Sequence, residues 1–166
     1  IIIALFDDKI FLMNEQQPGR ESLWSVPAGR FEKDETDSFT VAKRELIEEV
    51  AAISDDWKLI NVYEKGGTTM IGNTYIYVAR NCKIIQEPNL DIGGEIIHET
   101  KNVSFDEFLS MYKESILEGG ALETIVLRAM LDEKKYNDWI STHFIYPASR
   151  GNAFNSRCKK TWRARN

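Results

Sequence analysis

The segment Arg44-Glu45-Leu46-Ile47-Glu48-Glu49 is the most informative stretch of this chain. An α-helix turns by about 100° per residue, so a helix through this segment places Glu45 beside Glu48 and Glu49 on the next turn. Like charges at that spacing repel each other by roughly 0.2 to 0.5 kcal/mol per pair. Because this repulsion destabilises the helix, we expect the three carboxylates to have a function that compensates for it. Oxygen-rich clusters suit hard divalent cations such as Mg²⁺, which commonly hold phosphate oxygens.

The residues around this segment predict a strand, a turn and then the helix. Leu23-Trp24-Ser25-Val26 alternates like a strand that enters the Pro27-Ala28-Gly29 turn. Apolar residues recur at helical spacing over residues 39–50, with Asp37 or Ser38 as the N-cap. We expect the apolar stripe to face inward and the three carboxylates to lie mostly off it, facing a cleft. A solvated Glu-rich helix face is the other interpretation, and the ordered pattern around the carboxylates opposes it.

Gly29, Glu35 and the run from Arg44 to Glu49 resemble the Nudix box, the signature of hydrolases that cleave a nucleoside diphosphate linked to another moiety. The family pattern is Gly, five residues, Glu, seven residues, and then Arg-Glu-apolar-any-Glu-Glu-any-Gly-apolar. Here eight residues separate Glu35 from Arg44, and Ala51 stands where the family usually has Gly. The extra residue rotates Glu35 by about 100° if it lies within the helix, and by little if the preceding loop absorbs it.

The resemblance implies an α/β fold, the Nudix-type α/β/α sandwich with a mixed central sheet, and a site for Mg²⁺ or Mn²⁺. The implied metal ligands are a backbone carbonyl and three carboxylates: Ala28, Glu45, Glu48 and Glu49. Arg44 would orient acidic neighbours such as Glu35 or Glu32 by charge-assisted hydrogen bonds. The implied reaction is metal-dependent hydrolysis of a diphosphate linkage to two phosphate monoesters.

Residues outside the box are expected to complete the site. In the Nudix enzymes that split ADP-ribose, a carboxylate on a later loop often serves as general base. Glu95 occupies a comparable place here, with Glu99 and Glu48 as alternates. Arg20 and Gln17 lie in the loop ahead of the box, where related enzymes often contact substrate. For each of these loop residues, an ordinary surface position is the competing interpretation.

Within the family, the chain most resembles the pyrophosphatases that act on ADP-ribose and nucleoside-diphosphate sugars. The resemblance includes residues 23–29, the loop at 91–95 and residues 119–124. Two alternatives stay open. One is a catalytically silent nucleotide-binding module, in which the altered spacing spoils the metal geometry. The other is a Nudix hydrolase directed at the cap or triphosphorylated end of RNA.

Composition predicts one globular domain, residues 1–140, followed by a basic C-terminal tail, residues 141–166. The chain has 166 residues, of which 43% are hydrophobic and 28% charged. From Arg150 onward it carries six basic and no acidic residues, whereas the rest has 15 basic and 26 acidic residues. An acidic body argues against a general nucleic-acid binder, so RNA contact is expected only through the tail. A solvated, disordered terminus is the alternative for that tail.

The expected partners are a small nucleoside diphosphate substrate and a second copy of the chain, because many related enzymes are dimers. The apolar residues 1–6 are too few to span a bilayer, and we predict a buried strand there. Cys82 and Cys158 are too few for a disulfide framework, which predicts thiols in a reducing, cytoplasmic compartment.

Periodicity predicts the remaining elements. They are strands at 1–6 and 9–13 joined by Asp7-Asp8, strands at 57–63 and 73–79 around a turn at 66–69, a polar loop at 88–94, a helix from Ser104 to about 117 closed by Gly119-Gly120, and a helix at about 121–135. Tyr63, Tyr75 and Tyr77 are expected in the strand core, with base stacking as the alternative.

Overall fold

The computed structural model describes residues 1–65, 72–87, 91–92, 95–117, 120–122 and 126. Its helices are α1 (Ser38–Val50) and α2 (Phe105–Lys113), and residues 120–122 and 126 are also helical. Its strands are β1 (Ile2–Phe6), β2 (Lys9–Gln16), β3 (Leu23–Ser25), β4 (Ala52–Ile53), β5 (Asp56–Lys65), β6 (Gly72–Arg80), β7 (Lys83–Ile84), β8 (Asp91–Ile92) and β9 (Glu95–Val103).

Seven of these strands form one mixed sheet. Its order is β5-β6-β1-β2-β9-β8, with β3 also paired to β2, while β4 and β7 form a separate two-stranded sheet. The β1–β6 pair is parallel and the other described pairs are antiparallel. Strand β9 pairs with one edge of β2 from Ile10 to Gln16. The other edge of β2 is shared: β1 pairs with it at Lys9–Ile10, and β3 pairs with it at Met13–Glu15. The sheet therefore splits where β1 and β3 separate.

Alternation along β1 explains the layers. Ile2 and Ala4 point into a core cluster that includes Leu46 of α1. Ile3 and Leu5 point into a second cluster, which contains residues of α2. Because successive strand residues face opposite sides of a sheet, the two helices cover opposite faces. The predicted α/β class and α/β/α sandwich are confirmed.

Most predicted elements before residue 88 are confirmed. Asp7 and Asp8 have φ values of 47° and 65° and form the two-residue turn between β1 and β2, as a hairpin of this kind requires. Two predictions were wrong. The polar loop at 88–94 contains β8, which pairs with β9, and β9 extends as far as Val103. Helix α2 ends at Lys113, four residues before the predicted end, because Ser115 adopts a φ of 56° that breaks the helix.

Several predictions fall outside the described residues. They are the turn at 66–69, the closing residue Gly119, most of the helix at 121–135, and the tail at 141–166. In the described part of the chain, no helix combines the length and the apolar character needed to cross a bilayer. Cys82 is a free thiol, and burial raises its pKa to about 11.

Candidate active site

The start of helix α1 decides where the extra residue of the box goes. The Asp37 side chain accepts hydrogen bonds from the backbone N–H groups of Phe39 (3.4 Å) and Thr40 (2.9 Å). This N-cap begins the helix at Ser38, three residues after Glu35. The additional residue therefore does not rotate Glu35 with the helix, and the preceding loop absorbs it.

Arg44 lies at the centre of an acidic network. Its Nε and Nη2 atoms donate to the two carboxylate oxygens of Glu35 at 3.0 and 3.1 Å, a bidentate arrangement. Its Nη1 lies 2.7 Å from Glu48, and its Nη2 lies 2.8 Å from Glu45 and donates to the carbonyl of Arg30 at 3.1 Å. The hydrogen bond from Arg44 lowers the pKa of Glu35. The arginine thus joins the loop to the helix, despite the altered spacing.

The three carboxylates of α1 occupy two different environments. Glu45 and Glu49 are buried, with relative exposures of 8% and 6%, whereas the Glu48 side chain is 43% exposed. The carboxylates were expected to lie mostly off the apolar stripe, and nothing in the sequence indicated that Glu45 and Glu49 would be buried. The turn at 27–29 packs over this part of the helix, which periodicity along the helix alone does not reveal.

Gly29 and Ala28 make direct contact with the buried pair. A Cβ atom at Gly29 would lie 1.8 Å from both Cδ and Oε1 of Glu45, so a side chain there would displace that carboxylate. The backbone N–H of Ala28 donates to Oε2 of Glu49 at 2.9 Å. Burial raises the pKa of Glu45, and the charge of Arg44 acts in the opposite direction. Two acidic side chains are therefore held under the turn with little access to water.

The turn is anchored at the split in the sheet. The backbone N–H of Ile2 donates to the carbonyl of Pro27 at 2.8 Å. This contact places the turn at the beginning of β1, on the side where β1 has separated from β3. The site is consequently built from β1, the segment after β3, and one face of α1.

Among the side chains that the structure describes, those of Arg20, Gln17 and Glu99 make no hydrogen bond or ion pair with the carboxylates of α1. Arg20 is exposed and donates its backbone N–H to the carbonyl of Gln17 at 3.1 Å, within the β2–β3 connection. Glu95 is the first residue of β9, and its carboxylate lies outside what the structure describes. Glu99 is exposed on β9 opposite Asn14. The expected roles of these residues stay predictions.

One aromatic side chain near the turn was not anticipated from the sequence. Phe31 is 44% exposed and lies edge-on to Tyr75, with ring centroids 6.2 Å apart. Its only signal in the sequence is its place two residues after Gly29. Exposure is a tertiary property, so periodicity gave no indication of it.

A mixed sheet between two helices, with an acidic helix packed under a Pro-Ala-Gly turn, is the arrangement expected of a Nudix domain. The family model described as the NUDIX domain matches residues 1–119. The chain therefore belongs to the Nudix family. The enzyme class predicted from the sequence, a Nudix pyrophosphatase, is confirmed at the level of the family.

The chain resembles individual proteins in sequence and, separately, in structure. An mRNA-decapping protein of African swine fever virus (isolate Warthog/Namibia/Wart80/1980) is 31% identical over 99 residues, which are 57% of this chain and 40% of that protein. The chain thus matches less than half the length of this relative. Proteins from other isolates of the virus match similarly.

Many solved structures share the fold, among them two that cover most of this chain. One, described as an ADP compounds hydrolase, has a TM-score of 0.62 and 15% identity, over 80% of this chain and 71% of the other. A NUDIX hydrolase from Nitrosomonas europaea has a TM-score of 0.59 and 17% identity, over 91% of this chain and 93% of the other. At such identities the likeness establishes the fold alone.

Proposed function

We propose that this chain hydrolyses a diphosphate linkage in a nucleoside diphosphate derivative, with Mg²⁺ or Mn²⁺, to give two phosphate monoesters. The observation that carries the proposal is the buried pair Glu45 and Glu49, held against the turn at Ala28 and Gly29. Burying two carboxylates is costly unless a positive charge joins them. Arg44 reaches Glu45, and a divalent cation would bind the oxygens of both carboxylates.

The donor chemistry fits magnesium or manganese. No group of three or more His, Cys, Asp or Glu side chains is arranged to hold a metal ion within the ranges that the structure describes. Mg²⁺ does not require such a group, since one or two carboxylates usually bind it together with substrate phosphates. Glu45 and Glu49 are the two carboxylates we assign, with the Ala28 carbonyl as a further ligand and Glu48 in an assisting role. When bound, the metal would neutralise the diphosphate and lower the pKa of an attacking water.

Arg44 would act by holding the ligands in place. Its bonds to Glu35 and the Arg30 carbonyl fix the guanidinium relative to the loop, and its contacts with Glu45 and Glu48 fix it relative to the helix. Partners of this kind orient metal ligands and raise their affinity. We therefore assign Arg44 a positioning role.

Glu95 is our candidate for the general base, with Glu48 and Glu99 as alternates. Support comes from its place at the start of β9, at the tip of the β8–β9 hairpin. Ile96 pairs with Gln16, so this tip lies near the β2–β3 connection that carries Gln17 and Arg20. That proximity supports a general base at Glu95 next to substrate contacts from Gln17 and Arg20.

Capped RNA is the substrate that the comparisons favour over ADP-ribose. The support is the 31% identity to a viral mRNA-decapping protein, whereas the ADP compounds hydrolase is only 15% identical. Both substrates contain phosphoanhydride bonds, so the same carboxylates would serve either. The subgroup predicted from the sequence, which acts on ADP-ribose and nucleotide sugars, therefore becomes the second candidate.

A substrate panel tests the proposal. Capped RNA, ADP-ribose, a nucleotide sugar and a dinucleoside polyphosphate are incubated with the protein and Mg²⁺ or Mn²⁺, and the products are identified by mass spectrometry. We expect metal-dependent cleavage of one phosphoanhydride bond, fastest with capped RNA, whose triphosphate bridge would leave one monophosphate and one diphosphate product. A protein that hydrolyses none of them, and shows no heat of Mg²⁺ or Mn²⁺ binding, would instead be the silent binding module. The absorbed extra residue argues against that alternative, because Arg44 keeps its contact with Glu35.

A homodimer, a cytoplasmic location and RNA contact through the tail at 141–166 remain predictions. Sedimentation at several protein concentrations tests the dimer. Removing residues 150–166 tests the tail, since loss of its basic residues should weaken RNA binding and reduce its salt dependence.

A further inference from the structure

Phe31 is an exposed aromatic residue whose backbone is fixed beside the carboxylates. Gly29, two residues earlier, lies directly under the Glu45 side chain. The carbonyl of the intervening Arg30 accepts a hydrogen bond from Nη2 of Arg44 at 3.1 Å. The backbone on one side of Phe31 is therefore held by the same network as the proposed metal ligands.

Tyr75 contacts the Phe31 ring edge-on. The two ring centroids are 6.2 Å apart, at an interplanar angle of 63°. Tyr75 belongs to β6 and packs against the core cluster on the α1 side of the sheet. Its carbonyl accepts a hydrogen bond from the backbone nitrogen of Ile1 at 3.1 Å, while the next residue, Ile2, donates to Pro27. The start of β1 thus separates Tyr75 from the turn, and Phe31 reaches across it.

The exposure of Phe31 distinguishes this pair from the core aromatics. Phe39, Trp57 and Tyr77 contact one another at centroid distances from 5.5 to 6.2 Å, and Tyr77 is only 6% exposed. Phe31 keeps 44% of its surface exposed, although it is a large apolar side chain. The exposed part of the ring leaves a face that a planar group could cover.

We propose that Phe31, supported by Tyr75, stacks on the nucleobase of the substrate whose diphosphate lies at Glu45 and Glu49. This inference rests on the proposed function and adds a binding site for the nucleoside end. Aromatic rings bind bases of every kind through their π-faces, so the contact supplies affinity with little sequence preference. A purine presents a larger face than a pyrimidine, so purine nucleotides should bind more tightly.

Equilibrium calorimetry in Mg²⁺ buffer tests the stacking without requiring turnover. The probes are GMP, UMP and ribose 5-phosphate, which lacks a base. The variants are Phe31→Ala, Phe31→Leu and Phe31→Tyr, and the matched control is Ile84→Ala, which also removes an exposed apolar side chain, here from β7 (56% exposed). Circular dichroism checks that each variant is folded, and Phe31→Leu serves if the alanine variant is not.

We expect Phe31→Ala and Phe31→Leu to weaken GMP binding about 10-fold and UMP binding less, with ribose 5-phosphate unchanged. Phe31→Tyr and Ile84→Ala should bind GMP nearly as the wild type does. Equal losses for GMP and ribose 5-phosphate would overturn the inference, because the ring would then only anchor the loop. Unchanged GMP binding, or a wild type that binds GMP no better than ribose 5-phosphate, would also overturn it.

The two proposals can fail separately. A wild type that hydrolyses no member of the substrate panel, but shows the expected Phe31 effects on GMP, would refute hydrolysis and support the stacking site. An active wild type with Phe31→Ala binding GMP normally would support hydrolysis and refute the stacking site.

Discussion

The segment at 27–50 and the segment at 91–103 were both expected to supply site residues. They are held in place by contacts of different range along the chain. In the first, Asp37 caps the helix, Arg44 joins it to the loop, and Ala28 donates to Glu49, so these three contacts each span 21 residues or fewer. In the second, the position of Glu95 depends on pairing β9 with β2, as in Ile96 opposite Gln16. Contacts between residues that are close along the chain can be inferred from a motif. The pairing of Gln16 with Ile96 joins residues 80 positions apart (96 − 16), and a motif does not reveal it.

The largest expected effect concerns the buried acids of the first segment. Glu49→Gln should lower kcat by about 10³-fold or more and weaken Mg²⁺ binding, because it removes a buried negative charge under the turn. Glu48→Gln is the matched control from the same helix, and its exposed carboxylate should matter about 10-fold at most. Steady-state kinetics and metal titration measure both. Similar losses for the two variants would contradict the distinction drawn from burial.

The second segment is tested by Glu95→Gln. A general base contributes about 10² to 10⁴ in rate, so this variant should lose 10²-fold or more in kcat while it still binds metal and nucleotide. Glu99→Gln provides the control on the same strand. If Glu95→Gln retains near-normal turnover, the base lies elsewhere, and a large loss in Glu99→Gln would identify the alternate.

Gly29→Ala tests the close approach between the turn and the helix. The added Cβ would come within 1.8 Å of the Glu45 carboxylate, which must then move. Misplacing a catalytic group by about 1 Å costs about 10² in rate. Because the displaced atoms belong to the Glu45 side chain and not to the backbone, we expect urea unfolding to change little. Full activity in this variant would show that the position of Glu45 is unimportant.

Arg44→Ala tests the link between loop and helix. Loss of an orienting partner typically lowers metal affinity or activity by about 10- to 100-fold. Arg44→Lys keeps the charge and loses the bidentate bond to Glu35, so it should restore only part of the activity. Metal affinity and kcat are compared for the two. Unchanged values in Arg44→Ala would show that the assigned positioning role is wrong.

The smallest effect is expected at the end of the same segment. Ala51 follows α1 with φ 55° and ψ 35°, a left-handed conformation that costs a non-glycine residue about 1 kcal/mol or more. Ala51→Gly relieves this strain but removes a buried methyl group worth about 0.8 kcal/mol. These terms and the greater unfolded-state entropy of glycine nearly cancel, so we expect the free energy of urea unfolding to change by less than about 0.5 kcal/mol, with activity unchanged. Clear destabilisation would mean that the methyl packing outweighs the strain.

The departures from the family pattern had outcomes that only the fold could decide. From the sequence, the extra residue between Glu35 and Arg44 could lie within the helix or in the preceding loop. The Asp37 N-cap starts the helix after Glu35 and so places the extra residue in the loop. The burial of Glu45 and Glu49 was missed because it arises from a loop packing across the helix. The β8–β9 hairpin was missed because Pro88–Gly94 is polar and rich in turn formers, which is also typical of a loop.

The sequence by itself determined the family, the helix that carries the acids, and the alternation that gives the sheet two covered faces. These follow from short-range periodicity and from a motif whose residues are close along the chain. Tertiary structure decided which carboxylates are buried and why a side chain at position 29 would collide with Glu45. It also decided that Phe31 stays partly exposed while its ring contacts Tyr75. Those properties depend on which distant segments pack together, and hydrophobic pattern along a single element does not encode them.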